Sequence, residues 1–73
     1  MKGFSKLTDA DKEIVLAFAE NNMDTSKTAR SSVYHRNTIK YHLEQIQKKT
    51  KLDPRRFYDL VELVSAIKKD GDA

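Results

Sequence analysis

Two glycines and one proline are the only strong breakers in 73 residues. A chain so poorly punctuated cannot supply the tight turns that a many-stranded β fold needs, and it reads as helices joined by short links. The length allows a single domain, residues 1–73. A chain of this size buries only about 60% of the surface exposed when unfolded, so its core has little to spare. Disulfides or a metal often compensate in small folds, but zero cysteines and two histidines leave little for either. The lack of cysteine gives no sign of an oxidising compartment and favours the cytoplasm. No apolar run approaches the ~20 residues of a membrane span. The start, MKGFSKLTDADKE, turns acidic where a secretion signal would turn apolar.

Four helices follow from periodicity and end signals, at about 8–21, 25–32, 36–49 and 54–69. Thr8 can cap the first, with Asp9, Asp11 and Glu13 in its positive first turn. Leu7, Ala10, Ile14, Ala17 and Phe18 fall on one face, and Asn21-Asn22 is a plausible stop. The second segment is polar and too short to stand without neighbours. The third places Ile39, Leu43 and Ile46 inward and Asn37, Tyr41, Glu44 and Lys48 on the opposite face. The fourth carries a start signal, Asp53 as cap with Pro54 at the first helical position, and a stripe of Phe57, Leu60, Val61, Val64 and Ile67 widened by Leu63. The tail KKDGDA is expected to fray. The fold class is all-α, a small bundle of four main helices.

Charge is unevenly spread. Residues 1–24 sum to −2, residues 25–56 to +7 and residues 57–73 to −2. A basic centre between acidic flanks suggests a footprint for a polyanion, or else a solvated helical surface. Spacing sharpens the first reading. A helix of about seven residues, a three- or four-residue link and a longer amphipathic helix make a helix-turn-helix. Its second helix lies in the major groove with its N-terminal residues against base edges, so it needs an apolar face to hold it and a donor-rich face to read with. Arg36 can bind guanine bidentately or clamp a phosphate, and Asn37 can pair with adenine. Thr38 can donate to a base or phosphate, while Lys40, Tyr41 and Lys48 suit phosphates. Thr25, Ser26 and Lys27 stand where a helix start favours a phosphate, and Lys49 and Lys51 can extend the backbone contacts.

The stretch HRNTIKYHL at residues 35–43, followed by LDPRRFYDLVEL at 52–63, resembles the C-terminal helix-turn-helix domain of PucR-type and sugar-diacid (CdaR-type) bacterial transcription regulators. The resemblance spans roughly residues 12–67, and its looser surrounding pattern is shared with Fis-type helix-turn-helices. It implies duplex-DNA binding through His35, Arg36, Asn37, Thr38, Lys40 and Tyr41. This chain departs from the family at Ser32, where a large apolar residue is usual, so looser packing of the second helix is expected there. The long sensory region that normally precedes the domain is not among these residues, and the family's ligand sensing is not carried over to them.

Other chemistry finds little support. His35 and His42 are seven apart, whereas a metal pair on a helix more often stands at i, i+4, and no ligand set completes them. His35 reads as a cap or phosphate neighbour and His42 as a partly buried packing residue. No nucleophile or acid–base pair marks an enzyme. No metal, cofactor or small-molecule ligand is expected. The partner is double-stranded DNA, bound by a homodimer because one recognition helix covers few base pairs. Leu16, Leu63 and Ile67 are candidate dimer contacts. Two alternatives stand beside this: a helical module docking onto another protein through the helix at 54–69, and a nonspecific nucleoid binder.

Overall fold

The computed structural model describes residues 4–71. A 3₁₀ turn, Phe4–Lys6, leads into four α-helices: α1 Asp9–Glu20, α2 Thr25–Arg30, α3 Arg36–Thr50 and α4 Phe57–Gly71. The all-α expectation of four main helices holds, with no strand among the described residues. None of these helices is long and apolar enough to cross a membrane.

Helix α1 is the centre, packing against α2, α3 and α4. Contact on three sides explains why its buried surface is wider than one stripe, taking in Val15 beside Ile14 and Phe18. From α3 come Ile39, Leu43 and Ile46, as their spacing predicts; Leu60, Leu63 and Ile67 come from α4, and Leu7 and Leu52 from the links. Full burial of a side chain of this kind contributes roughly 1.5–3 kcal/mol.

The ends of α1 are tightly specified. The Thr8 hydroxyl accepts the Asp11 backbone N–H at 3.1 Å, and Asp11 Oδ2 accepts the Thr8 N–H at 3.0 Å, a reciprocal capping box. At the other end, Met23 N–H donates to the Phe18 carbonyl (2.8 Å) and Asn22 N–H to that of Ala19 (3.3 Å), the pair of bonds of a Schellman stop. Asn22 (φ 57°) and Met23 (φ 63°) both lie in the left-handed region. The asparagine is the residue type that tolerates this best after glycine.

Helix α2 ends at Arg30 rather than at 32. The Ser31 hydroxyl donates to the Thr28 carbonyl (3.3 Å), and that of Ser32 accepts the Tyr34 N–H (3.2 Å), so both serines bond locally in place of a further helical turn. An open hollow of about 400 Å³ lies beside Ser32, lined also by Leu16, Ala17, Thr28, Val33 and Tyr34. Val33 projects into solvent with 93% of its surface exposed.

The expected start of α4 at residue 54 is corrected to Phe57. Asp53 does act as a local acceptor, but for the Arg55 N–H two residues on (2.9 Å), and its carbonyl takes the Arg56 N–H (2.9 Å). Asp53 and Pro54 therefore form a turn, whose residue preferences resemble those of a helix start. The first helical bond of α4 runs from Leu60 N–H to the Arg56 carbonyl (2.8 Å). At the far end the tail does not fray as early as expected, since α4 continues through Lys68 and Lys69 to Gly71, and residues 72–73 lie outside those described.

The inward face of α4 is corrected too. Leu63 is completely buried, whereas Phe57 is 63% and Val61 46% exposed. Leu63 and Ile67 are therefore core residues with little surface left to offer a second copy, and Leu16 is partly buried against the same core. Phe57, Leu60, Val61, Leu63, Val64 and Ile67, six large aliphatic or phenyl side chains within eleven residues, leave several rotations of the helix equally apolar inside, and packing against α1 selects among them.

Candidate nucleic-acid interface

Helix α3 presents its first turn to solvent. Arg36, Asn37, Thr38, Lys40 and Tyr41 are all exposed, while Ile39 between them is fully buried and Leu43 follows it one turn on. The buried pair anchors the helix, so the exposed residues project from a fixed base. His35 is the N-cap residue, yet its side chain makes no capping hydrogen bond. The caps of α1 and α2, by contrast, are closed by Thr8 and Asp24. The first-turn N–H groups of α3 are thus left open, at the positive end of a fifteen-residue helix.

An open hollow of about 390 Å³ runs between α2 and the start of α3, lined by Ser26, Ala29, Arg30, Tyr34, His35 and Arg36. The structure thus brings Ser26 together with His35 and Arg36. It adds Arg30, an exposed cation that sequence reading passed over although it stands one turn after Ser26 in the basic segment. Thr25 and Lys27 lie outside this hollow. Asp24 Oδ1 accepts the Lys27 backbone N–H at 3.0 Å, and that bond holds the Asp24 carboxyl below the ordinary carboxylate range. A phosphate approaching the start of α2 therefore meets a carboxylate already in place, and the exposed Lys27 ammonium is what remains to attract it. Lys48 is exposed on α3, about 18 Å along the axis from Arg36.

Lys49 is engaged in an ion pair with α1. Its Nζ lies 2.7 Å from Oδ2 of Asp11, which is fully buried, and His42 Nδ1 lies 2.6 Å from Oδ1 of the same carboxylate. A carboxylate only accepts, so Nδ1 of His42 carries the proton in this contact. His42 is a hydrogen-bonding link from α3 to α1, a stronger role than the packing expected of it. Its ring also meets Tyr41 and Tyr34 edge-on, at centroid distances of 5.4 and 6.4 Å. Sequence reading placed Asp11 only in the positive first turn of α1; the residue is also the acceptor that α3 grips.

Burial alone would push the Asp11 carboxyl up, but Lys49, the Thr8 N–H and His42 together outweigh it and hold it below its ordinary value of 3.8. A depressed folded-state value means that the group stabilises the fold above about pH 4, and that this contribution is lost as pH falls through the folded value. Acid titration of unfolding should therefore show a drop below pH 4 that Asp11→Asn flattens, measured by the urea midpoint between pH 2 and 6. An equal drop in both proteins would refute the assignment. Among the described residues no group of three or more His, Cys, Asp or Glu is placed to hold a metal.

Compared with known families, residues 12–68 match the model of the PucR C-terminal helix-turn-helix domain. No curated protein and no solved structure gave a match to the chain.

Proposed function

From the premise that this chain belongs to the PucR C-terminal helix-turn-helix family, a family of DNA-binding regulator modules, we propose that it reads duplex DNA sequence-specifically with α3 in the major groove. The observation that carries the reading is the first turn of α3: a bidentate donor, an amide and a hydroxyl at consecutive exposed positions, on a helix whose base is fully buried. Arg36 and Asn37 read base edges, the first suited to guanine and the second to adenine, with Thr38 beside them. Ser26, Arg30 and His35 surround the adjoining hollow and position the backbone, together with Lys27, Lys40 and Tyr41. Thr25, at the start of α2, stands beside that set. Glu44 is exposed on the same stripe and ends the stretch that can lie against phosphates, so Lys48 makes a separate contact farther along.

The chain acts as a homodimer on DNA, since one recognition helix covers too few base pairs for useful selectivity, and it works in the cytoplasm at the nucleoid. The exposed Phe57, Tyr58 and Val61 favour some association surface on α4, which keeps the protein-docking reading as the second choice.

Selection from random duplexes at near-physiological salt is the decisive experiment. A two-fold or repeated motif is the expected outcome, with log K falling against log salt at a slope near −5 if about five or six phosphates are neutralised. Binding without any motif would make the chain a nonspecific compactor. No binding to any duplex would leave the docking reading in its place.

A further inference from the structure

The reading helix needs something to fix its slide and rotation, and the apolar contacts of Ile39, Leu43 and Ile46 are poorly suited to that alone. The hydrophobic driving force is non-directional, so along such a seam the register rests on side-chain shape alone. Asp11 is different. Its two oxygens are directed at two side chains of α3, His42 at 2.6 Å and Lys49 at 2.7 Å. Those residues are seven apart on one face of α3, about 10 Å along its axis. Two charge-assisted bonds from one buried point to two separated points on a helix define both its axial position and its rotation. Asp11 is itself held, because Oδ2 also accepts the Thr8 N–H at 3.0 Å, so the carboxylate cannot swing away with α3. Glu13, two residues on, accepts the Tyr34 hydroxyl at 3.3 Å and tethers the link that leads into α3. Tyr34 in turn stands edge-on to His42.

We propose that Asp11 is a positioning residue for DNA reading: from α1, on an element with no part in the DNA face, it sets the register at which Arg36 and Asn37 meet the bases. This rests on the reading of α3 given above. Asp11 also keeps Lys49 from the phosphates, trading one nonspecific contact for the alignment of the specific ones.

The physical signature is a pair of opposite changes. Asp11→Asn removes a negative charge and releases Lys49, so electrostatics alone makes the chain bind every duplex more tightly. Misalignment of α3 costs base contacts more than phosphate contacts, because an ammonium or hydroxyl tolerates a wider range of approach to a phosphate than a bidentate pair does to a base edge. The test is the affinity of wild type and Asp11→Asn for the selected duplex and for a scrambled one, at matched salt, at a temperature where circular dichroism shows both folded. Scrambled-duplex affinity should rise about two- to threefold and its salt slope should steepen by about one. The ratio of specific to nonspecific affinity should fall about tenfold. A ratio that stays at the wild-type value would make Asp11 a stabilising cap and nothing more, overturning the proposal.

If Asp11→Asn is unfolded under those conditions, Lys49→Gln takes its place, since it leaves the Thr8–Asp11 box intact. The same fall in ratio is expected. Specific and scrambled affinities falling together would identify Lys49 as an ordinary phosphate contact and reject the clamp. A wild-type chain that prefers no duplex over any other removes the DNA-reading assignment, and this one with it.

Discussion

Changing Arg36 and Asn37 together to alanine should lower affinity for the selected duplex by about thirtyfold or more, each good bidentate base contact being worth roughly 1–3 kcal/mol. The thermal midpoint should hardly move, because both side chains are exposed and neither contributes to the core. The two substitutions separate when made singly. Loss of Asn37 should leave the salt slope unchanged and relax preference at one position of the site. Loss of Arg36 should do the same if the guanidinium reads a base, but flatten the slope by about one if it holds a phosphate. Gel-shift or anisotropy titrations at three salt concentrations distinguish these cases. An affinity within threefold of wild type for the double variant would remove the first turn of α3 from the interface.

The second large effect is on stability and concerns α4. Leu63→Ala should destabilise the chain by about 2–5 kcal/mol, the range for truncating a fully buried leucine. A domain this small rarely has more than about 3–5 kcal/mol in its core, so much of the variant would be unfolded at room temperature. Val61→Ala, two residues away, should change stability by no more than about 0.5 kcal/mol, given its exposure. Urea denaturation of the two variants provides the comparison. Similar midpoints would place α4 in a different rotation on α1 from the one described.

That contrast shows what the sequence could and could not convey. On α3, three apolar residues at i, i+4 and i+7 in a strongly polar background admit one inward face, and Ile39, Leu43 and Ile46 fill it. On α4 the apolar residues span too wide an arc for periodicity to choose, so Leu63 read as an outer edge although it lies at the centre. Asp53-Pro54 misled for a related reason: an acceptor before a proline suits a turn as well as a helix start, and only the tertiary arrangement decides. Thr8 was readable as a cap because its hydroxyl acts locally, over three residues. Asp11 was readable only in part. An aspartate in a first turn is explained by the helix dipole, and nothing within ten residues signals partners at 42 and 49. The exposure of the donors in the candidate interface was the most legible feature, since the outer face of an amphipathic helix needs no distant contact to be recognised. Arg30 joined it only when α2 and α3 were seen side by side.

The double duty of Asp11 also bears on how the chain opens. Helix ends normally fray independently of the rest of a protein, at a small fraction of the global unfolding energy. Here the side chain that closes the first turn of α1 is also the one that α3 grips, so the two events share a group. The amides at the start of α1 should then exchange with solvent on the same timescale as those in the middle of α3. A terminus and the interior of α3 would behave as one cooperative unit.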